Sequence, residues 1–248
     1  MKPFIEFKNV TKEYLNGETK LKAVNNLNFT IDKGEFIVIL GPSGSGKSTL
    51  LNLLGGLDST TTGNIIFDNN DITKYNDNQL TEYRAEKIGF IFQFYNLIPN
   101  LTALENIELI EDVINKEINA EEALNQVNLS NHYHHFPSEL SGGEQQRVSI
   151  ARAIVKKPEM LLCDEPTGAL DTDTGNMIIK LLYDLCKKNK TTIVVVTHNE
   201  DIALIADKII HLRNGKIEEI ETKTPATIDN LIGDENVIQE NDKRFIRP

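Results

Sequence analysis

Tryptophan is absent from the chain, and cysteine occurs only twice, as Cys163 and Cys186. The two cysteines have no metal-type spacing, so reduced thiols in a cytosolic protein are the expectation. Long hydrophobic runs are missing too. FIVIL (36–40) and IVVV (193–196) fall far short of the about 20 residues of a membrane-spanning helix. The opening MKPFIEFKNV lacks the apolar stretch of a signal peptide. A soluble chain with no direct membrane insertion is expected. Positive charge is also short: 26 Lys and Arg stand against 37 Asp and Glu, a net charge of −11. That balance argues against a general affinity for nucleic acid or acidic lipid. The rest is ordinary for a globular domain, with 248 residues, 40% of them hydrophobic, enough to bury a sizeable core.

The order of patterns along the chain predicts an α/β domain. FIEFKNVTKEY and LNFTI read as strands, and FIVIL follows the turn DKGE. Leucines then recur at helical spacing from Lys47 to about Leu57, and a short strand lies in TGNIIF (62–67). Residues 79–87 look helical before the short buried strand KIGFIFQ (87–93). Residues 94–139 carry helical periodicity in 102–114 and 120–128 and no convincing strand, which reads as a helical insertion. Strand patterns return at 159–165, at 191–198 and in a final hairpin turned by Asn214-Gly215, with helices at 144–156 and 173–188 between them. Strands alternating with helices imply a mostly parallel sheet with helices on both faces.

Three stretches carry chemistry. GPSGSGKS, from Gly41 to Ser48, follows a buried strand and opens a helix. Converging backbone N–H donors bind phosphate best where no side chain intervenes, and the helix aims its positive end at the anion. Gly41, Pro42, Ser43, Gly44, Ser45 and Gly46 form that loop; Lys47 reaches the terminal phosphates and Ser48 offers a hydroxyl to Mg²⁺. The plain alternative is a Gly-Ser turn. MLLCDEP (160–166) ends an apolar strand in two carboxylates. Asp164 is placed to hold Mg²⁺ and Glu165 to polarise an attacking water; the alternative is an acidic turn. LSGGEQQR (140–147) puts Ser141, Gly142 and Gly143 ahead of a second helix N-terminus suited to an anion. HYHH (132–135) lacks carboxylate or cysteine company and is not read as a metal site.

These motifs, in this order over roughly residues 4–221, resemble the nucleotide-binding subunits of ABC transporters. The resemblance implies a P-loop NTPase core of the ABC type with a mostly parallel sheet, an N-terminal antiparallel β-subdomain and a helical insertion. It implies ATP and Mg²⁺, and a homodimer in which the signature helix of one subunit closes on the ATP held by the other. Tyr14 matches the aromatic that stacks on adenine, though a core or strand-face tyrosine is the alternative. Thr49 completes the nucleotide loop, and Gln93 matches the glutamine that touches Mg²⁺ and relays the ATP state to the membrane partner. Asp171, in GALD, matches the residue that reaches across the dimer. His198 matches the histidine that contacts the γ-phosphate and shares the catalytic role with Glu165.

As a single ABC ATPase domain, the chain is expected to divide into a core of about 4–93 and 147–221, a helical subdomain of 94–146 and a polar tail of 222–248. LLGGLD, NLIPNLTALENIEL and DEPTGALD resemble the group that works with FtsX-like or MacB-like permeases. The expected partner is therefore an integral membrane permease, reached from the cytoplasmic face and docking beside Gln93 on Phe94, Tyr95, Leu97, Ile98 and Leu101. A regulatory ATPase of cell-wall hydrolysis is an alternative within that group. A DNA-maintenance ABC ATPase is disfavoured by the acidity of the chain and by the absence of heptad arms.

Overall fold

A computed structural model of the chain describes residues 2–17 and 19–223. The expected tail lies outside the described residues from position 224 onward. The first sheet is antiparallel. Its long ribbon joins β1 (Ile5–Asn16) to β2 (Thr19–Ile31), and β4 (Thr62–Phe67) with the short β5 (Asn70–Asp71) extends it in the order β2-β1-β4-β5. The second sheet contains β3 (Phe36–Leu40), β6 (Ile88–Ile91), β7 (Met160–Asp164), β8 (Thr192–Thr197), β9 (Lys208–Arg213) and β10 (Lys216–Thr222). Its order is β10-β9-β3-β8-β7-β6, parallel throughout except for β10. An antiparallel N-terminal sheet beside a mostly parallel one is the fold class expected.

The near-continuous apolar strands are explained by burial on both faces. Side chains alternate across a strand, so Phe36, Val38 and Leu40 join one core while Ile37 and Ile39 join another. Strands β7 and β8 divide in the same way: Leu161, Cys163, Ile193 and Val195 face one core, and Met160, Leu162, Val194 and Val196 face the other. The first core also holds α3 (Ala103–Ile114), α4 (Ala120–Gln126), α5 (Gly142–Ile154) and α6 (Thr172–Asn189), through residues such as Ile107, Leu124, Val148 and Leu182. The second joins the N-terminal sheet to α1 (Lys47–Leu54), which buries Leu50, Leu51, Leu53 and Leu54.

Helix ends differ from expectation for local reasons. The helix α2 (Asp77–Glu86) starts two residues earlier than expected because Asn76 caps it. The Asn76 side chain accepts from Gln79 N at 3.0 Å, and the Gln79 side chain accepts from Asn76 N at 3.0 Å. The helix α1 stops at Leu54, not Leu57, because Gly56 turns left-handed at φ +65°. A Cβ on Gly55 would lie 2.2 Å from the Phe90 ring, so only glycine lets this helix end sit on β6.

One carboxylate ties the parallel sheet together away from its loops. Glu159, just before β7, takes Lys33 at 2.7 Å and Lys87 at 2.9 Å, from the turns leading into β3 and β6. Burial pushes the Glu159 carboxyl up, but the hydrogen bonds from Lys33 and Lys87 outweigh it and hold the group below its ordinary 4.5. A depressed carboxylate contributes stability that is complete above its unfolded value and is lost as pH falls through the folded one. Wild type is therefore expected to exceed Glu159→Gln in stability by about 0.5–1 kcal/mol at neutral pH, solvent screening of the half-exposed lysines keeping the margin small. Urea midpoints measured down to about pH 3 should show that margin closing.

Candidate active site

The parallel ladders bring the chemistry-bearing residues to one edge. Leu40 pairs with Thr197, Asp164 with Val196 and Ile91 with Cys163. Gly41, Glu165, His198 and Gln93 therefore leave the sheet side by side, at the carboxyl ends of strands where ligands gather in open α/β sheets. A cavity of about 950 Å³ opens there. Its walls include Tyr14, Ser43, Gly44, Gly46, Lys47, Ser48, Thr49, Gln93, Asp164, Glu165 and His198.

Gly41, Pro42 and Ser45 shape the loop from behind and do not line the cavity. A Cβ on Gly41 would lie 2.2 Å from Leu212 O, and one on Gly46 would lie 2.3 Å from Ala23 O. Gly46 also sits at φ +103°, a backbone state that L side chains rarely adopt. The β9–β10 turn braces the loop: Gly215 N donates to Ser45 O at 2.9 Å, while Gly215 O accepts from Asn25 N at 2.7 Å. Lys47 Nζ donates to Gly41 O at 2.8 Å and Pro42 O at 3.1 Å, so its charge is held over the loop by the loop's own carbonyls.

The acidic end is equally constrained. Burial, helped by the neighbouring Glu165 charge, raises the Asp164 carboxyl above its ordinary value against the opposing pull of Ser48 and Lys47. Ser48 Oγ donates to Asp164 Oδ1 at 3.3 Å. With the Gln93 amide on the same cavity wall, these residues make an all-oxygen donor set of the kind Mg²⁺ prefers. Glu165 has a left-handed backbone, φ +47°, with its N–H bonded to Val196 O at 3.0 Å. Among the described residues no group of three or more His, Cys, Asp or Glu side chains converges as a metal site. His132, from HYHH, instead lies 3.3 Å from Glu144.

The other expected residues divide between the cavity and its surroundings. His198 Nδ1 lies 2.9 Å from Glu165 Oε1, so the histidine's contact within the chain is the carboxylate. Tyr14 donates from its hydroxyl to Asp58 Oδ2 at 2.7 Å and has Lys12 Nζ 5.0 Å from its ring centroid, which places it on the cavity rim rather than in a core. Gly142 and Gly143 lie within the first turn of α5, not ahead of it. Ser141 caps that helix, its Oγ accepting from Glu144 N at 3.3 Å and donating to the Glu144 carboxylate at 2.8 Å. Asp171 caps α6 by accepting from Thr174 N at 3.0 Å. Neither Ser141–Gly143 nor Asp171 lines the cavity. Tyr95 is not an exposed member of the docking segment: it is half-buried, and a Cβ on Gly142 would lie 2.8 Å from its hydroxyl. Phe94 and Ile98, 73% and 42% exposed, are the open ones.

Sequence reasoning missed a second group. Leu21, Lys22 and Ala23 supply a cavity wall from β2, and Asn214 and Gly215 another from the hairpin turn. Leu21 reaches the cavity because it pairs with Tyr14 in the β1–β2 register, and paired residues share a face. Thr197 donates to Glu165 Oε2 at 2.9 Å. Gln146, fully buried on α5, donates to Pro166 O at 2.8 Å and so joins that helix to the turn after Glu165.

Comparison with known proteins identifies the family. Residues 24–168 match the family described as ABC transporter. An uncharacterized ABC transporter ATP-binding protein of Methanocaldococcus jannaschii, MJ0796, is 46% identical over 226 residues, 88% of this chain and 96% of that protein. One from Thermotoga maritima is 46% identical over 228 residues, 90% of this chain and 97% of that one. Among solved structures, the dimeric post-hydrolysis state of the MJ0796 ATP-binding cassette bound to ADP and Pi superposes with a TM-score of 0.81 at 44% identity, covering 88% of this chain and 98% of that one. The cbiO1 protein of Clostridium perfringens, part of the cbiONQ ABC transporter complex, superposes at 0.80 with 26% identity, covering 99% and 96%. The chain belongs to the ABC transporter family, as its ATPase cassette.

Proposed function

We propose that the chain hydrolyses ATP at sites shared between two copies arranged head to tail, and that this cycle drives an FtsX-like or MacB-like membrane permease. The observation that carries the shared site is a division within one subunit. The phosphate loop, Asp164 and Glu165 line one cavity, while Ser141–Gly143 stand outside it on a helix N-terminus of their own. A second copy supplies what the first lacks, and the MJ0796 cassette is dimeric.

In this reading the adenine lies against Tyr14 and the phosphates against the backbone N–H groups of the loop through Thr49. Lys47 exchanges the carbonyls of Gly41 and Pro42 for phosphate oxygens. Ser48, Asp164 and Gln93 would hold Mg²⁺, which screens charge on the phosphates when bound. Glu165 orients the attacking water, His198 supports the γ-phosphate end, and Ser141 and Asp171 act across the dimer. No helix among the described residues is long and apolar enough to cross a membrane, so contact with the bilayer is assigned to the permease. Phe94 and Ile98, exposed beside Gln93, are its docking residues.

Glu165→Gln is expected to bind ATP, to lose at least about 100-fold in turnover and to accumulate as a dimer. Lys47→Ala should instead lose nucleotide affinity, measured by a fluorescent ATP analogue. Mixing Lys47→Ala with Ser141→Arg chains should rebuild one intact site per dimer and restore part of the ATPase activity; no recovery at any mixing ratio would sink the shared-site arrangement. Phe94→Glu should leave basal hydrolysis near wild type and abolish its stimulation by the permease in vesicles. Stimulation equal to wild type would move the docking site elsewhere.

A further inference from the structure

A carboxylate that orients water must present one chosen oxygen to it. Glu165 follows a strand end and has a left-handed backbone, so no helix or strand neighbour dictates its rotamer. Two side chains touch its oxygens: Thr197 Oγ1 at 2.9 Å from Oε2, and His198 Nδ1 at 2.9 Å from Oε1. They differ in permanence. The His198 side chain is 72% exposed, on the loop after β8. Thr197 is 1% exposed, inside β8 and paired with Leu40.

The hydroxyl of Thr197 is directed as well as buried. Asn199 N donates to Thr197 Oγ1 at 3.1 Å and occupies one lone pair. A hydroxyl has a single proton to give, and here it goes to Glu165 Oε2. Oε2 thus carries the buried, fixed contact, whereas Oε1 meets only the exposed His198 ring.

We infer that Thr197 is a positioning residue that fixes the Glu165 carboxylate with Oε1 toward the reacting water, an inference that rests on the role proposed for Glu165. Backbone and side chain act together in this arrangement. The Glu165 N–H is tied to Val196 O and the Glu165 carboxylate to the next residue, Thr197. Adjacent positions of β8 therefore hold both ends of the same glutamate. Small misplacements of a reacting group cost large factors in rate, whereas nucleotide affinity depends on the loop across the cavity.

The test compares Thr197→Val with Thr197→Ser in the full chain. Valine keeps the β-branched shape that a buried strand position favours, and serine keeps the hydroxyl. If Thr197 only packs the strand, valine is the milder change. Positioning requires the reverse order. Thr197→Val should lower kcat by about 5- to 50-fold with KM and nucleotide affinity within about 2-fold, and Thr197→Ser should retain most of wild-type kcat. Should the valine variant fail to fold, Thr197→Ala must show the same loss against the same serine control. Wild-type kcat in the valine variant, or equal losses in valine and serine, overturns the inference. Glu165→Gln measured in parallel separates the two claims. Turnover surviving in that variant defeats the role of Glu165 itself, whereas an inactive Glu165→Gln beside a fully active Thr197→Val defeats only the role of Thr197.

Discussion

The two carboxylates at the cavity are set on different courses by one backbone hydrogen bond, from Glu165 N to Val196 O. It extends the β7–β8 ladder one residue past the last paired position, Asp164 with Val196. A left-handed residue that is neither glycine nor asparagine is unfavourable by itself, and here the sheet determines it. Because the turn starts from a ladder, Asp164 and Glu165 diverge: the first stays beside Ser48, and the second turns toward Thr197 and His198. The two like charges still feel each other, and the Glu165 charge helps raise the Asp164 carboxyl.

The phosphate loop meets the opposite problem, that of keeping a glycine-rich segment in one shape. Glycine gives the backbone freedom and loses more of it on folding than any other residue. The structure recovers rigidity through neighbours. Ala23 O and Leu212 O press on Gly46 and Gly41, and Gly215 bonds to Ser45 O. These come from β2 and from the β9–β10 hairpin, so residues far apart in sequence decide the loop's geometry.

That distance explains what the sequence disclosed. The Asn214-Gly215 turn, the GPSGSGKS loop and the DE pair after an apolar strand are local signals, readable within a few residues, and the Asn76–Gln79 cap was an equally local one passed over. The alternation of strand and helix patterns gave the parallel sheet by the same local means. Leu21, Lys22 and Ala23 became cavity wall only through ribbon pairing, which polarity along the chain does not reveal. Gln146 is polar by type, yet its amide is buried against Pro166 O. Tyr95 reads as apolar docking surface because nothing in FYNLIP shows that a glycine of α5 will pass beneath its hydroxyl.

Arg152 gives the segment after Gln93 a mechanical property. From α5 its guanidinium donates to Asn96 O at 2.7 Å and Tyr95 O at 3.0 Å, and burial lowers its pKa. A guanidinium is a rigid fork, so the two carbonyls cannot slide independently. The Tyr95 hydroxyl meanwhile rests over Gly142 at the other end of the same helix. Residues 95–96 thus meet α5 near both of its ends, bonded at Arg152 and in contact at Gly142. The segment after Gln93 and the helix that Ser141 caps therefore pack as one piece, with Phe94 and Ile98 on its open side.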